Sequence, residues 1–211
     1  MILSSLPLSQ DKGSFVLYDI LRFMERVKIY IDGGNTYKAL FKESINRKDN
    51  SLIPRIVPLG KKFNYKKFAL FLASNRNLCG RGYYVGIVKN YNHTQKSEDM
   101  VINQQKFLAK LENDGFIIER GKIVYDHEIR EKGVDVKIAI DVVIDGIEDK
   151  YDTAVIVSSD TDLIPAIKYV QSKGKNVEYI GFSNNTSVGL IKDCDNQRVF
   201  GATDLQQFIF L

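Results

Sequence analysis

Histidine and cysteine are scarce in this chain, with two of each in 211 residues. Cys79 and Cys194 form no CxxC pair, which argues against a structural zinc site and makes a reducing cytoplasm the expected setting. His93 and His127 fall outside every motif, so no histidine-based site is expected. No apolar run approaches the ~20 residues that a bilayer demands, and no membrane partner is read. The opening stretch MILSSLPLSQDKGS lacks a basic n-region and a convincing apolar core, so no secretory signal is expected. Glycine-rich phosphate cradles are missing: neither GxGxxG nor GxxxxGK[ST] occurs, and only Gly33 and Gly34 follow the first strand. An aspartyl-phosphatase nucleophile would want a second acid two residues after Asp32, where Gly34 stands. Internal repeats and low-complexity segments are absent too.

What is present suits one globular domain with a substantial core, since 44% of residues are apolar and 27% charged. The net charge of +4 hides an asymmetry: between Lys42 and Lys96, twelve basic residues face only Glu43 and Asp49. That segment carries +10 and the remainder −6, which suggests one surface for a polyanion and another for acidic chemistry. Charge runs are also the ordinary solvated face of a protein.

Residues 1–26 read as an extension ahead of a 27–211 domain, with Phe15, Leu17, Ile20, Leu21 and Met24 suited to a short amphipathic helix. VKIYID (27–32) alternates as a strand ending at Asp32, and Asn35 is placed to cap a helix over 36–43. Residues 44–62 read as a loop; helices are expected over 65–77 and from Ser97, and a strand from Arg81. FIIER and KIVYD read as a strand pair or one bent strand. A mostly apolar helix from Gly133, the strand TAVIVSS, a helix over 162–172 and the strand NVEYIGF follow. Strands alternating with helices predict an α/β fold around a parallel sheet covered on both faces.

In such a sheet, function gathers outside the carboxyl ends of the strands. Asp32 and Asp160 end two strands, and Asp135 starts a helix whose preceding loop reaches the same rim. Carboxylates brought together repel, and a hard divalent cation such as Mg²⁺ or Mn²⁺ relieves that repulsion. Each acid also has a structural reading: Asp32 as a turn residue, Asp135 as a helix cap, Asp160 as an Asx turn, Asp162 as a first-turn acid.

IYIDGGN (29–35), KGVDVKIAIDVV from Lys132, YDTAVIVSSDTDLIPAI from Tyr151 and KGKNVEYIGF from Lys173 together resemble the NYN domain, a branch of the PIN-like ribonuclease superfamily. The similarity runs over about residues 27–182 and is nearest to the bacterial LabA-like group. It implies a three-layer α/β/α sandwich with a central, mainly parallel sheet, and a Mg²⁺- or Mn²⁺-dependent ribonuclease acting on single-stranded or structured RNA. By matching motif, Asp32, Asp135 and Asp160 would ligate metal. Asp162 would be a further acid, and Asn35 would orient Asp32 or touch a phosphate. Asp141 matches a frequent family position but lies about 240° round the helix from Asp135, outside this set. Ser159 stands where the family usually has glycine.

The binding half of the expectation rests on Lys61, Lys62, Lys66, Lys67, Arg76, Arg81 and Lys89, interleaved with Phe63, Tyr65, Tyr83, Tyr84 and Tyr91. Cations neutralise phosphates and exposed aromatics stack on unpaired bases. Phe68, Phe71 and Tyr84 are expected in the core, and Lys132 and Arg130 are the better single candidates for phosphate contacts. The competing expectation is a non-catalytic RNA-binding regulatory module on the same fold. Pairing of two copies is kept open, without a dimer motif to carry it.

Overall fold

Val27, Ile29 and Ile31 alternate with Lys28 and Tyr30, a period-two pattern that makes Arg26–Asp32 a strand, β1, packed on both faces. The computed structural model describes residues 24–45, 50–88, 93–126 and 128–211, except for the side chains of 122–132. Phe15, Leu17, Ile20, Leu21, Lys89, Tyr91 and His127 lie outside the described residues.

β1 runs into helix α1 (Gly33–Phe41), then two short paired strands, β2 (Ser44–Ile45) and β3 (Leu52–Ile53), a short β4 (Lys62–Phe63) and helix α2 (Tyr65–Ala73). β5 (Asn77–Gly86), α3 (Gln95–Asn113), β6 (Ile117–Asp126) and β7 (Glu128–Lys132) follow. After α4 (Val134–Ile147) and β8 (Thr153–Val157), one 3-10 turn (Thr161–Leu163) leads into α5 (Ile164–Ser172). Then come β9 (Asn176–Phe182), α6 (Val188–Asp193), β10 (Asn196–Phe200), α7 (Ala202–Leu205) and β11 (Ile209–Phe210).

The central sheet has the order β10-β9-β8-β1-β5-β6-β7, six parallel strands with β7 antiparallel at one edge. Among the described residues seven helices flank it, so the expected α/β/α sandwich is the observed one. Alternate residues feed two cores. Val27, Ile29, Ile31, Val155 and Val157 meet α1, α2 and α3 through Leu40, Phe68, Leu72, Leu108 and Leu111. Tyr30, Ala154 and Ile156 meet α4 and α5 through Ile138, Val142, Ile167 and Val170 on the other face.

Two features of topology position the site. The chain leaves β1 toward β5 and returns to β8 on β1's other side, so the sheet reverses its winding between β1 and β8. A crevice opens at the carboxyl ends of such a pair. The second feature is an arm. β6 pairs with β5 only as far as Gly86↔Gly121, and its remaining residues continue past the end of β5 to pair with β7. Of the two readings for this stretch, a strand pair or one bent strand, the structure has the second, a single ten-residue strand, while its partner β7 was not anticipated. β7 brings the chain back to Gly133, whose φ of 81° turns it into α4.

Other boundaries differ for local reasons. α3 starts two residues before Ser97, with the Thr94 side chain accepting from Ser97 N as the cap. α2 stops at Ala73 because Ser74 takes a left-handed φ of 54°. No elements were read beyond residue 182, yet β10 extends the sheet and β11 pairs with β4.

Candidate metal centre

β8 ends at Val157, and the next five residues are polar or acidic. Ser158 stays buried, and its Oγ accepts from Asp160 N at 3.1 Å. Asp160 takes an extended conformation and caps the 3-10 turn, Oδ1 accepting from Asp162 N at 2.9 Å. The cap fixes one oxygen of Asp160 and points the carboxylate at the rim. Asp135 sits in the first turn of α4, where the helix dipole favours an acid.

These three acids converge. Asp135, Asp160 and Asp162 each offer a carboxylate oxygen, and the three atoms lie within 4.8 Å of one another. Asp135 and Asp160 are partly buried and Asp162 is exposed. Among the described residues no lysine or arginine pairs with any of them. Three uncompensated negative charges in that space fit a hard cation with oxygen ligands.

Asp32 is not part of that group. It caps α1 and is 5% exposed, with both oxygens committed. Oδ1 accepts from Asn35 N at 2.9 Å; Oδ2 accepts from Asn35 Nδ2 at 2.5 Å and Ser158 Oγ at 2.9 Å. Asn35 thus holds the Asp32 carboxylate in place. Asn35 Oδ1 accepts from Ser159 Oγ at 2.7 Å, and Ser159 Oγ accepts from Asn185 Nδ2 at 2.9 Å. A continuous polar network therefore joins the ends of β1, β8 and β9 and reaches the Asp160 backbone through Ser158. Ser159, where a glycine is usual in the family, is a link in this network. Asn185 was missed by sequence reasoning; its signal was a polar Ser-Asn-Asn run directly after the β9 strand, at the same rim. Asp141 points elsewhere, accepting from Tyr84 Oη at 3.0 Å and Lys137 Nζ at 2.6 Å.

The basic residues divide. Arg81 is withdrawn from phosphate binding: its guanidinium donates to the carbonyls of Asp114 and Gly115, 2.5 and 3.1 Å away, and lies over the Phe116 ring. It closes the carboxyl end of α3, where unsatisfied carbonyls need donors. Arg76 is likewise structural, bound to Glu178 and the Leu72 carbonyl. Phe63, Tyr65, Tyr83 and Tyr84 are buried, the first three in edge-on contact in one core and Tyr84 stacked on Tyr30 in the other, and not available to bases, whereas Phe71 is 41% exposed instead of core. Lys61 and Lys62 line a cavity with Lys106 and Lys110, at the Phe41 end of α1, the end remote from Asp32. Arg130 and Lys132 lie on β7, but their side chains are outside the described residues. Lys132 pairs in register with Lys122, and Gly133 separates it from α4.

A family model described as the NYN domain matches residues 26–200, and the chain belongs to that family. NYN domains are generally ribonuclease-like hydrolases, and a nuclease-like domain implies a nucleic-acid substrate. A protein of unknown function from Vibrio parahaemolyticus, known from its crystal structure, has the same fold at 18% identity. The match has a TM-score of 0.60 and covers 89% of this chain and 97% of that one. Comparison with curated proteins finds no match. Among the described residues, no helix is long and apolar enough to cross a membrane.

Proposed function

We propose that this protein is a ribonuclease that hydrolyses RNA phosphodiester bonds with Mg²⁺ or Mn²⁺ at the Asp135, Asp160 and Asp162 cluster. The convergence within 4.8 Å of three carboxylates that meet no lysine or arginine among the described residues carries the reading. Such an ion would supply an acidified water and charge stabilisation at the phosphate.

The chain's own residues prepare the site. Asp160 is held by its cap on the Asp162 backbone, and Asp135 by the first turn of α4. Asp32 supports the rim through Ser158, whose Oγ it shares with the Asp160 N–H. In this reading Asp32 acts through its neighbours, and Asp162 takes the ligand role that the motif gave to Asp32. Asn35 and Ser159 fix the Asp32 carboxylate. Phosphate contacts fall to Lys61, Lys62 and the β7 arm bearing Arg130 and Lys132. We also propose a cytoplasmic setting, supported by the unpaired Cys79 and Cys194. Pairing of two copies is supported by the exposed Val136, Ile140, Ile144 and Ile147 along α4, and light scattering would measure it.

The test is incubation of purified protein with labelled RNA and Mn²⁺, with and without EDTA. Chelator-sensitive cleavage that disappears in a folded Asp160→Asn variant is expected. Cleavage unchanged in that variant would refute the assigned centre, and retardation of RNA without cleavage would return the binding-module alternative.

A further inference from the structure

We infer that the groove between α1 and α3 holds an unpaired stretch of the RNA, with one nucleobase inserted in a cavity beside Gly33 and Gly34. The identity of the ligand as RNA rests on the proposed function; the location and the single-strand preference rest on the groove.

The cavity measures about 460 Å³ and is lined by Gly33, Gly34, Tyr37, Tyr83, Met100 and Asn103, among others. That volume lies within the ~300–1,000 Å³ common to small-molecule sites. Its position is set by covalent connectivity, because the two glycines are the residues between Asp32 and Asn35. The cavity therefore opens where the polar network begins, at the carboxyl end of β5.

Its chemistry suits a flat aromatic ligand. Tyr83 and Phe107 form an edge-on pair, their centroids 5.6 Å apart, at its base. Tyr37 and Met100 stand at its mouth, 48% and 47% exposed. An aromatic ring and a thioether offer the sequence-tolerant faces on which bases stack. The Gln104 amide is used up, donating to the Gly86 carbonyl and accepting from Val88 N. Asn103 has no hydrogen-bond partner among the described residues and can read a base edge.

Phe107 is shared with a second cavity of about 350 Å³ further along the same groove. Lys61, Lys62, Lys106 and Lys110 line this one, with Asp114 the acid among its lining residues. Among the described residues none of the four lysines forms an ion pair. Lys106 and Lys110 stand four apart on one face of α3, a repulsive arrangement unless an anion joins them. From Met100 to Lys110 the helix rises about 15 Å. Aromatic mouth and lysine track thus follow each other along one groove, as a strand with bases and phosphates requires. A base already paired in a duplex cannot enter such a cavity without unpairing.

The test is fluorescence anisotropy with the full chain in EDTA, so that binding is measured without cleavage, using short single-stranded RNA, a matching duplex and an abasic strand. Tyr37→Ala is expected to weaken single-strand binding about tenfold, the loss of one stacked base. The same variant should leave the abasic strand unaffected. Lys106→Ala combined with Lys110→Ala should flatten the salt dependence by about 1.4 in log–log slope. All substituted side chains are exposed, and melting curves check that the variants fold. Unchanged affinity in both variants, equal binding of duplex and single strand, or no binding of RNA by the parent would each overturn the assignment. Cleavage is scored separately. A parent that cleaves although Tyr37→Ala binds normally refutes the groove alone. A parent that binds through Tyr37 but never cleaves refutes the nuclease alone.

Discussion

Asp162→Asn should make the metal-free protein more stable and the metal-loaded protein less so. The carboxylate oxygens of Asp135, Asp160 and Asp162 lie within 4.8 Å of one another with no cation paired to them among the described residues. At that separation, two unit charges repel by about 0.9 kcal/mol at the dielectric of water and about 3.5 kcal/mol at an effective value near 20. Asp162 is exposed, so the smaller figure applies, and neutralising it removes two of three repulsive pairs, about 2 kcal/mol. In a chain of 211 residues that gain corresponds to a rise in Tm of about 4–8 °C. The separation is well inside the ~10 Å Debye length at 0.1 M salt, so ordinary buffers do not erase it. Asparagine keeps the backbone N–H that Asp160 caps, so local structure is spared. Manganese at ~100 times its Kd should then stabilise the parent by about 2.7 kcal/mol and the variant by much less, reversing their order. Calorimetry in EDTA and in Mn²⁺ reads both halves. A variant that melts no higher than the parent in EDTA, or an equal Mn²⁺ shift in both, would refute the idea that these acids form a repulsive cation site.

Three further substitutions separate architecture from chemistry. Asp145→Ala strands the charge of Lys28, whose Nζ lies 2.5 Å from Oδ2 in a nearly buried pair, and should cost about 3–5 kcal/mol by denaturant unfolding. Burial pushes the Asp145 carboxyl up, but Lys28, the Tyr30 hydroxyl and Lys150 outweigh it and hold it below its ordinary 3.8. A depressed folded value means the contribution is full above 3.8 and fades as pH falls through the folded value, so the gap between parent and variant should narrow only in strong acid. Arg81→Ala should lose about 1 kcal/mol of stability by freeing the α3 carbonyls, with RNA affinity unchanged; weaker RNA binding by a fully stable variant would return Arg81 to the interface. Ser159→Gly breaks the link between Asn35 and Asn185, and should lower stability by about 1 kcal/mol while metal-dependent cleavage persists.

The parts of the fold that were legible share a physical property: their pattern repeats within a few residues. Alternation over 27–32, the apolar run 154–157 and the glycines that follow α3 and α5, Gly115 and Gly174, announce strands and helix ends from local chemistry alone. The β6–β7 arm was not legible, because what divides the ten-residue strand is the end of β5, a neighbour distant in sequence. The same limit explains Phe71 and Tyr83, whose exposure depends on which helix covers them and not on their own spacing. The C-terminal elements pair with β9 and β4, and nothing within residues 183–211 specifies those partners.

The acids show where a motif stops being informative. Asp32, Asp135, Asp160 and Asp162 are one chemical type, each also has a structural reading as a turn, cap or first-turn acid, and spacing cannot tell a ligand from these. What distinguishes them is the number of donors already aimed at each carboxylate. Asp32 receives three hydrogen bonds, two from Asn35 and one from Ser158, and is closed off at 5% exposure. Asp160 gives one oxygen to the Asp162 N–H and keeps the other side of its carboxylate for the cluster. Capping and metal binding are therefore compatible at Asp160, since a carboxylate has two oxygens and a one-turn helix needs only one. They compete at Asp32, where Asn35 and Ser158 take both. The two serines after β8 carry this difference: Ser158 couples Asp32 to the backbone of Asp160, and Ser159 locks Asn35 in place. An Asp32→Asn variant would present an amide donor to the Ser158 hydroxyl and the Asn35 amide, so its damage would reach the cluster through the Asp160 backbone and not through a missing ligand.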